Sequence, residues 1–199
     1  MTTKKIRGRG RPREFDVDKG LAIAQQLFHQ RGFDGVGVAE LSREMGITAP
    51  SLYSAFGNKC ELFERVLAKY VEEKSGWLVS TLQEENSVDV AIATLFKRAS
   101  EVYTADVNQP GCLVLDGARN CNDAKACELN AKFRQATWQL LCDRIAEEHA
   151  PKAPMLASYV MTILVGLSAA ARDGVSESEL QAIGEIAAAG LSVHIAQMG

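Results

Sequence analysis

The stretch GITAPSLYSAFGNK, residues 46–59, decides how the rest of the chain is read. Its glycine follows a segment, Val38 to Met45, in which Val38, Leu41 and Met45 recur at spacings of three and four, as on one face of a helix. Thr48 is placed to cap a new helix, and Pro50 falls in its first turn, where proline is tolerated. Leu52 and Phe56 are four apart and face inward. Ala49, Pro50, Ser51, Tyr53 and Ser54 are left facing outward, all short apart from one tyrosine. Upstream, Asp16 to Arg31 carries Leu21, Ala24, Leu27 and Phe28 on one face, with Gly32 where a C-cap glycine is expected. A helix, then two more joined across a glycine turn at Gly46-Ile47-Thr48, is the helix-turn-helix arrangement, with a recognition helix over about Ala49 to Ala55.

The outward residues suit that reading chemically. A helix entering a major groove brings its backbone close to base edges, so small side chains at its start help. Thr48, Ser51 and Ser54 offer hydroxyls to bases or phosphates, and Ala49 and Pro50 can touch a thymine methyl. Tyr53 can reach a phosphate, and Lys59 adds a cation at the amide end of the next helix, which Asn58 caps.

Charge is distributed to match. The net charge is -3, yet residues 1–57 hold nine Lys/Arg against six Asp/Glu, and residues 58–199 hold thirteen against nineteen. Residues 1–13 alone carry six basic residues and no acidic one. A basic end on an acidic body points to a local polyanion contact, with Arg7, Arg9, Arg11 and Arg13 in a flexible arm. That arm lacks the apolar stretch of a secretory signal. No apolar run approaches the roughly 20 residues that a membrane helix needs, so no membrane partner and a cytoplasmic location are expected.

Beyond residue 80 helical patterns continue over roughly 87–105, 111–119, 123–149, 154–173 and 177–197, broken at Asn108-Gln109-Pro110-Gly111, Pro151, Pro154 and Gly174. Ser176 and Glu179 read as a capping box. No sustained alternation suggests a strand. The last two helices are apolar around most of their circumference. They form either the centre of the domain or a contact with another copy, with Leu164, Leu167, Ile183, Ile186 and Leu191 as the contact residues in the second case.

Several chemistries find no support in the sequence. There is no G-x-S-x-G, no phosphate-binding loop and no glycine-rich dinucleotide fingerprint, so an enzyme and a cofactor are not expected. His29, His149 and His194 stand at no metal-ligand spacing. The five cysteines, Cys60, Cys112, Cys121, Cys127 and Cys142, are odd in number and form no C-x-x-C pair, which argues against a disulfide framework. Free buried thiols are the plain reading. A thiol- or electrophile-sensing role, resting mainly on Cys121 and Cys127 among polar neighbours, is the alternative, and a helical dimeric adaptor without DNA binding is a further one.

The run FDVDKGLAIAQQLFHQRGFDGVGVAELSREMGITAPSLYSAFGNKCELFERVL resembles the tetracycline-repressor (TetR) family of bacterial transcriptional regulators. Gly32, Phe33, Leu41, Gly46, Leu52, Tyr53, Phe56, Lys59 and Leu62 fill the family pattern, and Gly10 to Arg13 and the GCLVLDGA run at 111–118 resemble one of its subgroups. Gly37 departs from it, standing where the family usually caps the second helix with Thr or Ser.

The resemblance implies an all-α protein in which a basic arm (1–13) precedes a helix-turn-helix DNA-binding domain (14–60) and a C-terminal ligand-binding and dimerisation domain (61–199). It implies DNA contacts from Arg11, Arg13, Gly37, Thr48, Ala49, Pro50, Ser51, Tyr53, Ser54 and Lys59. It further implies a homodimer on a palindromic double-stranded operator, released by a small-molecule effector of unknown identity. The pocket for that effector is expected among Trp77, Phe96, Tyr103, Cys112, Arg119, Phe133, Trp138, Tyr159 and Met161. Arg119 is a candidate for an anionic ligand, or for a surface pair with Asp116 or Asp123.

Overall fold

The computed structural model describes residues 15–119 and 121–197, so the basic arm with Arg11 and Arg13 lies outside the described residues. Among those described there is no strand, and the elements are ten α-helices with one 3-10 turn, Ala150–Lys152. The first four helices are α1 (Val17–Arg31), α2 (Val38–Met45), α3 (Ala49–Phe56) and α4 (Lys59–Lys74). Then follow α5 (Gly76–Glu84), α6 (Val88–Thr104), the single turn α7 (Leu113–Asp116), α8 (Ala124–His149), α9 (Ala153–Arg172) and α10 (Glu177–Ala196).

Short polar side chains start most of these helices by accepting a hydrogen bond from the first turn, whose amides have no intrahelical partner. Asp16 accepts from Lys19 N (3.1 Å), Ser87 from Val90 N (3.4 Å), Asp123 from Ala126 N (3.0 Å) and Ser176 from Glu179 N (3.3 Å). The expected helix over 111–119 contracts to α7: Arg119 N–H closes a turn on Asp116 O (3.3 Å), and Gly117 O is taken by Phe33 N. α5 was not separable from its neighbours in the sequence. Its end is held by Arg144 of α8, which donates to Leu82 O (3.0 Å) and Glu85 O (3.1 Å) and pairs with Glu148 (3.0 Å).

Two hydrophobic clusters result. One gathers α1–α4 around Phe28, Phe33, Phe63 and Leu67, and draws in Leu113, Val114, Ala118 and Ala126 from beyond residue 110. The other gathers α5, α6, α8, α9 and α10 around Leu95, Phe96, Leu141 and Val160. Gly20 of α1 sits where a Cβ would lie within 2.7 Å of both Phe15 and Phe56, so only glycine lets the helix approach α3 this closely.

One stretch within residues 124–172 is long and apolar enough to cross a membrane by length and composition, at a mean hydropathy of 1.6, where no such run was expected. α9 instead packs its Leu156, Val160, Leu164 and Leu167 into the second cluster. α9 and α10 are also not apolar-buried all round. Each keeps an exposed stripe.

The two clusters meet along a polar seam. Phe33 N donates to Gly117 O (2.7 Å), Gln30 to Asn108 O (3.2 Å), and Asn122 donates to Asp34 twice (2.6 and 2.8 Å). Arg172, at the end of α9, donates to His29 O of α1 (2.8 Å) and to Asp116 (3.2 Å), which also accepts from Ser168 (2.5 Å). His29 is buried, its Nε2 donating to Pro110 O (3.2 Å), and its ring meets Tyr70 edge-on.

Burial, and secondly the neighbouring Arg172 guanidinium, lower the His29 pKa to about 4. The unfolded chain, with an ordinary imidazole, therefore binds more protons between about pH 6.5 and 4. Stability contributed by neutral His29 should be complete above pH 6.5 and lost as pH falls toward 4, by roughly 3 kcal/mol at most. Urea titrations of wild type and His29→Gln across pH 4–7.5 should show a shallower pH slope in the variant.

Candidate DNA-binding surface

α2 and α3 meet across a turn that glycine makes possible. Gly46 adopts the left-handed conformation (φ 68°, ψ 28°), and its N–H and that of Ile47 close back on Arg43 O and Ser42 O. Thr48 then caps α3, its Oγ1 accepting from Ser51 N (3.3 Å) and lying 2.9 Å from Ser51 Oγ. α3 buries only Leu52 and Phe56, so its other side chains are free to face outward. Thr48, Pro50, Ser51, Tyr53 and Ser54 are exposed, Tyr53 by 50%, and Ala49 is half-buried.

The far end of α3 is fixed to α4. Arg65 donates to Ala55 O (2.9 Å) and lies over the Phe56 ring (5.0 Å). Asn58 and Glu61 form a reciprocal capping box, each accepting from the other's backbone N–H at 3.0 Å. That box sets the first turn of α4 and with it Lys59, whose ammonium rests 4.0 Å from the Phe33 ring centre. Partial burial lowers the Lys59 pKa from its ordinary value. Gly37 caps α2 without a side-chain hydrogen bond, and Glu40 in that helix's first turn pairs with Arg31 (2.7 Å) and Arg43 (3.4 Å). The described residues proposed for DNA contact thus fall on α3 and the starts of α2 and α4. An open hollow bounded by Tyr53, Asn58, Lys59 and Cys60 also takes in Lys125 of α8, which no local signal in the sequence places there.

The residues expected around an effector separate. Trp77, Tyr103 and Cys112 line one small cavity of about 40 Å³, together with Tyr70, Lys74 and Thr137. Burial raises the pKa values of Cys112, Tyr103 and Tyr70, so all three are neutral donors. Arg119, Trp138 and Met161 line a different, open groove between α8 and α9, where Trp138 donates to Ser158 (3.0 Å). Phe96 is fully buried in the second cluster, Phe133 packs against the first, and Tyr159 donates to Ala187 O (2.8 Å). Tyr70 falls on the buried side of α4, and nothing in the sequence marks it as a cavity wall. Among the described residues no group of His, Cys, Asp and Glu is arranged to hold a metal ion.

Residues 21–66 match the family described as "Bacterial regulatory proteins, tetR family". The chain is 36% identical over 187 residues to the HTH-type transcriptional repressor BdcR of Escherichia coli (strain K12), covering 94% of each. It is 32% identical to the HTH-type transcriptional repressor ComR of the same organism, covering 89% of each. Its fold is similar to that of a cysteine-substituted TetR family transcriptional regulator, CifR, solved with 26-base-pair double-strand operator DNA. The TM-score is 0.81 at 31% identity, with 90% of this chain and 98% of that one covered.

The Thr48 cap sets where α3 begins. Thr48→Ala should cost about 1 kcal/mol of stability, whereas Thr48→Ser should retain most of it. Thermal unfolding of the two variants measures the difference.

Proposed function

The chain belongs to the TetR family of bacterial regulatory proteins and is a DNA-binding transcriptional regulator; we propose that it represses transcription in the cytoplasm as a homodimer on a palindromic operator and leaves when a small effector binds. The observation that carries this is α3, which has an exposed face of short polar side chains and Tyr53, flanked by Lys59. Two copies can enter successive major grooves when their recognition helices stand about 34–36 Å apart. Operator-bound CifR, similar over most of the chain, supports the mode.

The second copy meets α9 and α10. Ile183, Ile186 and Val193, exposed by 43%, 75% and 57%, form one stripe on α10, and Met155 continues the exposed apolar surface on α9. Leu164, Leu167 and Leu191 are nearly fully buried within their own chain, so they support the interface from behind and do not form it. The effector site is the cavity beside Tyr70, Tyr103 and Cys112. It has room for only a few water molecules as it stands, so an effector must widen it; the aromatic rings, the neutral donors and Lys74 suit a small molecule with an apolar body.

Selection of bound sequences from random duplex DNA tests the regulator reading directly, and a palindromic consensus is expected. On that duplex, removing residues 1–13, Lys59→Ala and Tyr53→Phe should weaken all sequences about equally. Each lost phosphate contact should flatten the log-log salt slope by roughly 0.9. Changes at Thr48, Ala49 or Ser51 should instead alter which sequence is chosen, at roughly 1–3 kcal/mol per base contact. An arm deletion that abolishes sequence preference at an unchanged salt slope would reverse this division.

Ile186→Glu should give a folded monomer in sedimentation with much weaker operator binding. A stable dimer in that variant would place the interface elsewhere.

A further inference from the structure

Two of the five thiols sit close together where α8 begins. Cys121 lies just before the Asp123 cap and Cys127 in the first turn of α8, whose N–H bonds Asp123 O (3.0 Å). The Cys127 thiol lies 3.2 Å from Cys121 O and 3.6 Å from Ala118 O, and the Cys121 thiol 3.2 Å from Asp123 O. The Cys127 thiol thus points back at the residue that carries the other thiol. Both are partly exposed, so a small reagent can reach them. The other three are placed differently. Cys60 is buried and donates to Asp123 Oδ1 (3.4 Å), Cys112 faces the cavity, and Cys142 is buried in the second cluster.

We propose that Cys121 and Cys127 are a redox-active dithiol whose oxidation to an intrachain disulfide weakens operator binding. The oxidant class is a hydroperoxide. The Cys127 sulfur attacks the peroxide O–O bond, giving a sulfenic acid and releasing the alcohol (water, for hydrogen peroxide). The Cys121 thiol then displaces hydroxide from that sulfur, forming the S–S bond and releasing water. Two thiols and one hydroperoxide become one disulfide, one alcohol and one water, and a dithiol reductant reverses the change. Burial first, and the neighbouring Cys127 thiol next, push the Cys121 thiol up to about 11, so Cys121 is protonated at neutral pH and the first attack falls to Cys127.

The position gives the bond its consequence. A disulfide requires its Cα atoms about 4.4–6.8 Å apart with a fixed torsion. Forming it removes both S–H donors, so the two thiols give up the carbonyls they now contact. The adjoining segment carries Gly117 O, which accepts from Phe33 N, Asn122, which holds Asp34 by two bonds, and Asp123, which accepts from Cys60. These are links from the start of α8 to the α1–α2 connection and to α4, beside Lys59. Moving them tilts the α1–α4 unit on the rest of the chain and changes the spacing of the two recognition helices.

This inference rests on the DNA-binding reading above. The test uses full-length protein, the duplex it selects, and cumene hydroperoxide. Treated protein should lose two hydrogens by intact mass. A non-reduced tryptic digest should join peptide 120–125 to peptide 126–132. Operator Kd should rise by about tenfold or more and recover with dithiothreitol. Cys121→Ser and Cys127→Ser should bind the duplex when reduced and lose the response. A protein with Cys60, Cys112 and Cys142 replaced by Ser or Ala should keep it. The proposal falls if the disulfide forms without a change in Kd, if the single Ser variants still respond, or if the digest links other cysteines. A reduced protein that selects no duplex at all would instead overturn the regulator reading.

Discussion

The carboxyl end of α1 is the constraint on which the arrangement depends. A helix end leaves carbonyls without intrahelical partners, and a buried end must find them elsewhere. Here His29 O is met by Arg172, a residue 143 positions away at the end of α9. The guanidinium is held in turn by Asp116, which Ser168 also reaches, and Ser168 accepts from Cys112 N (2.8 Å). One chain of polar contacts thereby ties the first helix to the cavity wall and to the ninth helix. Buried polar groups of this kind contribute little net stability over an apolar core but fix one geometry, because breaking one contact leaves a charge or carbonyl unpaired; Arg172 Nη2 and His29 Nδ1 already lack a partner.

Electrostatics divide the same way. The body is acidic while the amino-terminal part is basic. The exposed face of α3 itself carries no charge, so its groups suit reading over holding. Lys59, seated on the Phe33 ring, is held in place by packing as much as by charge, and its position depends on α1–α2 as well as on α4.

The helix-turn-helix was legible because its signals are local. Gly46 fixes the turn, Thr48 and Asn58 the starts, and Leu52 with Phe56 the buried face, all within fourteen residues. The proposed effector cavity was not legible in the same way. Trp77, Tyr103 and Cys112 do share one cavity, but Arg119 and Trp138 lie in another groove, and Phe96 is plain core. Periodicity reports that a residue is buried, not which neighbour it meets, and Tyr70 could not be told from a core residue. The same ambiguity affected α9 and α10. Small residues such as Ala189 and Gly190 make a helix read as apolar on every side, while Leu164, Leu167 and Leu191 face inward and Ile183 and Ile186 outward.

The first hydrophobic cluster does not end where the DNA-binding helices end. Leu113 is fully buried in it, as is Ala126, with Val114 and Ala118 beside them, so α7 and the start of α8 complete the core around Phe28, Phe33 and Phe63. A segment spanning α1–α4 alone would leave those rings partly in water. The DNA-reading head is therefore not a detachable module. Swapping it between relatives, by recombination or by an engineer joining chains after α4, requires carrying the later turn along or rebuilding the apolar surface it covers. Sequence drift at Leu113, Val114 and Ala126 is accordingly bound to drift in α1 and α4, even though some 40 to 100 residues separate them.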